Sequence, residues 1–132
     1  MNSLGQKVIE IYIGATYSRS VNMGGWGVVL VEEGKREKKY KGCESGGTHQ
    51  RMILKAAVEG LANTEEGCEA RLLSNNENLV QGVEDSQQRR ANRDLWEQLD
   101  GLMSSRNVQA KYIAKHYWLG EAKLLAKEAI GG

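Results

Sequence analysis

The chain has 132 residues, 40% of them hydrophobic and 27% charged, which predicts a single soluble domain with a flexible tail at residues 1–7. The formal net charge of +1 neither favours nor opposes nucleic acid, so any basic surface must be local. No apolar run approaches the roughly 20 residues that cross a bilayer, and no signal peptide is recognisable. We therefore expect a cytoplasmic protein with no membrane partner. Cys43 and Cys68 lack metal-ligand spacing and are expected as reduced, half-buried thiols, with a disulfide as the alternative.

Three strands are predicted in the first part of the chain. Residues 8–13 are β-branched and alternating, and the strand is expected to end at Gly14, where a polar loop begins. The second strand, VVLVEEG at residues 28–34, follows the glycine-rich stretch GGWG. The third, KREKKYKGCES at residues 35–45, is polar and weakly alternating, so its charged run is interpreted as a solvated strand face.

Helices and strands alternate in the rest of the chain. Helices are predicted from apolar periodicity and capping residues at residues 48–63, 75–85, 92–105 and 119–130. Short strands are predicted at residues 69–74 and 107–116. An antiparallel meander followed by strands that alternate with helices favours an α/β fold. We therefore expect a five-stranded mixed sheet, antiparallel at first and then parallel, with helices on both faces.

Four segments of this sequence resemble motifs of type 1 ribonuclease H, and they occur in the same order. They are GGWGVVL (24–30), RMILKAAVEGL (51–61), LLSNNENLVQGV (72–83) and DLWEQL (94–99). The resemblance spans nearly the whole chain, from about residue 8 to residue 129. It implies an RNase H-like fold. It also implies membership of a family that cuts the RNA strand of RNA–DNA hybrids. Members of this family use two divalent ions that are held by four carboxylates.

The resemblance places those four carboxylates at Gly14, Ile53, Asn75 and Lys123. None of these residues is a carboxylate. The expectation is therefore a catalytically inactive relative, a pseudoenzyme with no metal site and no cofactor. A site rebuilt from Glu77 and Glu121 is the alternative, and it is disfavoured because two-metal sites need several converging oxygens.

Binding of nucleic acid, either RNA–DNA hybrid or double-stranded RNA, is the expected remaining function. Lys123 is interpreted either as a direct phosphate contact or as a side chain that snorkels out of an apolar pocket. The resemblance places His49 and Gln50 where the family has two asparagines that contact the minor groove, although helix capping also accounts for them. Arg19 and Ser20 fall near the family's phosphate loop.

Two further groups of residues are candidates for nucleic-acid contacts. Arg89, Arg90 and Arg93 form a basic cluster that could follow a phosphate backbone, with solvated arginines as the alternative. Tyr117 and Trp118 are predicted in a loop beside Lys115 and His116, where aromatic rings suit base stacking or a protein interface. Burial of these two rings is the alternative, and Trp26 and Trp96 are expected in the core. The competing function is a protein-interaction scaffold, or a homodimer, that uses an apolar patch around Tyr117 and Trp118.

Overall fold

The computed structural model describes residues 2, 5 and 7–131. The predicted flexible tail lies partly outside the described residues. The elements, in chain order, are β1 (Val8–Ser18), β2 (Met23–Glu32), β3 (Lys38–Ser45), α1 (His49–Ala62), β4 (Glu69–Ser74), α2 (Glu77–Glu84), α3 (Arg93–Met103), β5 (Asn107–Tyr112) and α4 (Tyr117–Ala129). No helix among these is long and apolar enough to span a bilayer.

The five strands form one mixed sheet in the order β3-β2-β1-β4-β5. β2 pairs antiparallel with both β1 and β3, whereas β4 pairs parallel with both β1 and β5. The meander arises because short turns join the first three strands, and the parallel pairs require helical crossovers. The predicted α/β fold with a five-stranded mixed sheet is confirmed.

Helices cover both faces of the sheet, as predicted. On one face, Ile11 and Ile13 of β1 are buried with apolar residues of α1 and α3, including Met52 and Leu99. Trp26 and Trp96 belong to this core, as expected. On the other face a smaller cluster joins strand residues to α4, namely Tyr12, Val29, Leu73, Leu119 and Ala122.

The predicted break at Gly14 is wrong, because β1 is 11 residues long and continues past Gly14 to Ser18, and Gly14 pairs with Gly27 of β2. β2 likewise begins at Met23 and includes the glycines that were expected to precede it. Gly14, Gly25 and Gly27 lie beneath α4, whereas Gly24 faces Gly47 and Met52. A Cβ at Gly27 would lie 2.1 Å from the carbonyl oxygen of Ala122. Here glycine allows a helix to approach the sheet closely, and it does not end the strand.

The predicted start of α4 is also corrected, because the helix begins at Tyr117 and not at residue 119. The backbone N–H of Trp118 donates to Nδ1 of His116 at 3.1 Å, which caps the helix. Histidine is not among the residues that favour this position, so no capping signal marks it in the sequence. Both cysteines are free, so the disulfide alternative is wrong; Cys43 is exposed and Cys68 is buried.

Candidate functional site

A cavity of about 280 Å³ opens between β1, the start of α1, the turn after β4 and the side of α4. We call it the central pocket. The structure places in it all four positions that the resemblance assigns to carboxylates. The lining residues are Ile13, Gly14, Ala15, His49, Ile53, Asn75, Leu119 and Lys123.

The close passage of α4 over β1 shapes this pocket. A Cβ built on Gly14 would lie 2.4 Å from the backbone nitrogen of Lys123, so a larger residue cannot fit unless the helix moves. Ile53 is buried and contributes an apolar wall. Lys123 is exposed at the rim of the pocket, a position that is compatible with both sequence-based alternatives, a phosphate contact or a side chain that snorkels into solvent.

The ionisable groups of the central pocket are both basic. Desolvation lowers the pKa of His49, and the positive charge of Lys123 lowers it further, while a hydrogen bond from the ring to the backbone carbonyl of Ala15 opposes both effects. Lys123 forms no ion pair with any described residue. With the cation of Lys123 and no carboxylate in its lining, the pocket has a positive field that attracts anions.

The residues of the central pocket do not fit the pair of divalent ions that the resemblance implies. Hard cations such as Mg²⁺ prefer several oxygen ligands, and Asn75 is the one residue whose side chain contributes an oxygen to this lining. Neither Glu77 nor Glu121 lines the pocket, and Glu121 instead lies 4.0 Å from Nζ of Lys39. Within residues 2, 5 and 7–131, no cluster of three acidic, histidine or cysteine residues could hold a metal ion. The lining therefore supplies no ligand set for a pair of divalent ions.

A second cavity adjoins Gln50, the residue after His49 on α1, and we call it the amide groove. Gln50 accepts a hydrogen bond from Nδ2 of Asn76 at 2.9 Å, which links α1 to the turn after β4. Asn76 and Asn78 were missed as site residues, because these two amides were interpreted only as part of a helix start. The lining residues are Gln50, Leu54, Asn78, Gln88, Arg89, Arg90, Ala91, Asn92 and Trp96.

The three predicted arginines have different environments. Arg89 donates two hydrogen bonds to Asp100, at 2.7 and 2.8 Å, and its guanidinium lies 4.3 Å from the ring centroid of Trp96. These contacts make Arg89 a structural residue that also lines the groove. Arg93 pairs with Glu97 at 3.2 Å and is almost fully exposed. Arg90 is exposed and lines the groove.

The remaining candidates do not line the central pocket or the amide groove. Arg19 and Ser20 lie at the exposed turn between β1 and β2, and Lys115 is exposed before α4. His116 caps α4 and stacks on Tyr12, with ring centroids 4.6 Å apart. The pKa of Tyr12 is raised to about 12, mainly because the hydroxyl is desolvated by burial and further because Glu10 lies nearby.

The predicted aromatic loop is part of a helix and only partly exposed. Tyr117 has 68% of its surface exposed, whereas Trp118 is half-buried against the smaller core beside Lys39. The Nζ atom of Lys39 lies 5.8 Å from the ring centroid of Trp118. Tyr117 therefore presents an exposed ring, whereas Trp118 contributes mainly to the packing of α4 against the sheet.

Comparison with known proteins assigns the chain to a family. The RNase H family profile matches residues 6–130. Ribonuclease H of Hahella chejuensis is 30% identical over 145 residues, covering 95% of this chain and 97% of the relative. The chain belongs to the RNase H family, which confirms the resemblance seen in its sequence.

Solved structures show the same fold. The N-terminal RNase H domain of a Mycobacterium tuberculosis protein is 16% identical, with a TM-score of 0.78, covering 95% of this chain and 94% of that chain. LC11-RNase H1, solved in complex with an RNA/DNA hybrid, is 17% identical, with a TM-score of 0.76, covering 92% of this chain and 96% of that chain. At these identities the likeness shows the fold alone.

The prediction that the chain is not an enzyme is wrong. Its curated relatives are named Ribonuclease H, and this family is a family of enzymes. The prediction inferred inactivity from the residue types at four positions matched by the resemblance, and that step does not hold against membership of the family. The residues at these positions describe what the pocket can bind. They do not decide whether the protein turns over a substrate.

Proposed function

We propose that this protein binds nucleic-acid duplexes, with RNA–DNA hybrid as the preferred ligand, across the central pocket and the amide groove. The observation that carries the proposal is the composition of these two linings. Both contain basic and amide side chains, and neither contains a carboxylate. By contrast, the cavity between β1, the turn after β2 and the end of α1 combines basic residues with the carboxylates of Glu32 and Glu65.

The two cavities supply the two kinds of contact that duplex recognition needs. Lys123 and Arg90 are exposed cations that can meet phosphate oxygens, which position a duplex without reading its sequence. The side-chain amides of Gln50, Asn75 and Asn78 can each donate and accept hydrogen bonds. Such groups suit the 2′-hydroxyls and base edges of a shallow minor groove. The hybrid bound by LC11-RNase H1 supports this choice of ligand.

The test is a fluorescence-anisotropy titration with hybrid, double-stranded RNA, double-stranded DNA and single strands. At about 50 and about 200 mM salt, we expect the hybrid to bind most tightly and its affinity to fall steeply with salt, because phosphate contacts release counterions. Arg90→Ala should weaken binding. It should also reduce the slope of log affinity against log salt concentration by about one, the contribution of one phosphate contact. Arg36→Ala is the matched control, because Arg36 is an exposed arginine that lines a different cavity.

Three results would contradict the proposal. One is binding that does not depend on salt, and another is equal weakening by Arg90→Ala and Arg36→Ala. Tighter binding of double-stranded RNA would reject hybrid as the preferred ligand. The RNA strand is recovered and sized in every sample, because the protein belongs to a family of enzymes.

A further inference from the structure

We propose that the central pocket binds a phosphate oxyanion directly, held between Lys123 and His49 with the amide of Asn75 as a further donor, without a bridging divalent ion. The inference rests on the proposed function, since it names the part of the duplex that this pocket takes. It also follows from the misfit between the lining residues and a divalent-ion pair.

The charge distribution around the pocket is the first support. β1, the body of α1 and the turn after β4 contribute only uncharged groups to the lining, and α4 contributes Lys123. Lys123 has no ion-pair partner among the described residues, so its charge remains available to a ligand. An unneutralised ammonium beside a cavity of about 280 Å³ suits an anion and repels a cation.

The second support is the position of His49, which lines the central pocket together with Ala15 and Lys123. When His49 is protonated, both ring nitrogens are donors, so that one can interact with the backbone of Ala15 while the other forms a strong, charge-assisted hydrogen bond with an oxyanion. When His49 is neutral, one ring nitrogen is an acceptor and repels an oxyanion.

The charges of Lys123 and His49 are therefore coupled through an anion that is bound between them. In the free pocket, Lys123 and desolvation disfavour the protonated form of His49. A bound dianion offsets the charge of Lys123 and favours that protonated form. Anion binding must then take up a proton at His49, and affinity must fall as the pH rises, by at most about tenfold for each pH unit.

The experiment follows the ring protons of His49 by NMR while sulfate is added at constant ionic strength. Sulfate is the probe because it stays a dianion between about pH 5 and pH 8, whereas phosphate itself titrates in that range. The chain has only two histidines, so His116 is an internal reference in every spectrum. We expect sulfate to raise the pKa of His49 and to leave the ring-proton signals of His116 unchanged.

Lys123→Gln and Lys127→Gln form the matched pair of variants. Lys127 lies one turn further along α4, is exposed, and does not line the pocket. We expect Lys123→Gln to bind sulfate about tenfold more weakly. It should also raise the pKa of His49 in the absence of sulfate, because the repulsive charge is gone. Lys127→Gln should behave like the parent protein.

Several results would overturn the inference. Sulfate could shift both histidines alike, which is general screening, or the two lysine variants could bind sulfate equally. Tight sulfate binding that requires Mg²⁺ would also overturn it. If hybrid binds in a salt-dependent manner but sulfate leaves His49 unchanged, the proposed function stands and this inference fails. If sulfate couples to His49 but no duplex binds, the proposed function fails and the anion pocket remains.

Discussion

On one face of the sheet, large side chains of β1 and β2 meet α1 and α3, whereas on the other face glycines of the same strands lie directly beneath α4. Ile11 and Val28 are fully buried on the first face with Met52 and Leu61 of α1. On the second face, a Cβ at Gly27 would lie 2.1 Å from a backbone oxygen of α4. Large side chains fill the first face, whereas the second combines a smaller side-chain cluster with a close approach of backbones.

This difference shows how the fold positions the candidate site. α4 lies close to the sheet because small residues meet there, with Ala122 and Ala126 fully buried opposite the glycines. The same close approach brings Lys123 over Gly14 and into the central pocket. The position of the Lys123 side chain therefore depends on glycine and alanine residues that provide no polar side chain for a ligand.

The largest effect is expected for a truncation on the side-chain-packed face. Leu61→Ala should lower the free energy of unfolding by about 2–5 kcal/mol, because Leu61 is fully buried and the change leaves a cavity. Leu124→Ala on α4 is the control, since Leu124 is half exposed and should cost about 0.5 kcal/mol or less. Urea denaturation measures both. Equal losses would mean that the first face is not the main core.

An added methyl group tests the glycine-packed face. Gly27→Ala should destabilise the protein by about 1–3 kcal/mol, because the new Cβ would overlap the backbone of α4. Gly120→Ala is the control within α4 itself. Nothing lies within 4 Å of a Cβ at Gly120, so alanine there should stabilise the helix by up to about 1 kcal/mol. Opposite signs in thermal unfolding support the comparison, and equal signs contradict it.

The smallest effect concerns a partly exposed network that joins β3, α1 and α3. Arg51 donates to Glu44 at 2.7 Å and to Asp94 at 2.8 Å, and it holds the pKa of Asp94 at about 2. Since this pKa is depressed in the folded state, the contribution to stability is present above the unfolded value of about 3.9 and is lost as the pH falls through about 2.

Asp94→Asn tests this contribution by acid denaturation. The variant should be less stable than the parent at neutral pH, and the difference should close as the pH falls from about 4 to about 2. A difference that persists unchanged at the acid end would show that Arg51 and Asp94 are not coupled through the charge of the carboxylate.

Much of the fold could be predicted from the sequence because its signals are local. Periodicity identified the helices, and Thr48 and Asn76 cap α1 and α2 as their positions indicated. Alternation and turn residues identified the strands and the mixed sheet. The resemblance named four positions, Gly14 among them, that the structure brings together in the central pocket.

The errors arose where a residue's role depends on a distant partner. Gly14 was interpreted as the end of a strand, because its contact with α4 lies more than 100 residues away along the chain. His116 caps a helix, which its residue type does not favour. Arg89 was grouped with free arginines, but Asp100 and Trp96 engage it. The pairing of Gln50 with Asn76 is likewise a tertiary contact.

Duplex binding across the two cavities is tested most sharply by a map of backbone amide shifts, recorded on the labelled protein as RNA–DNA hybrid is added. We predict that the perturbed amides concentrate at Ala15, Gln50, Asn76, Arg90 and Lys123, around the central pocket and the amide groove. Perturbations that concentrate instead at Tyr112 and Tyr117, or an absence of specific shifts, would contradict this binding surface.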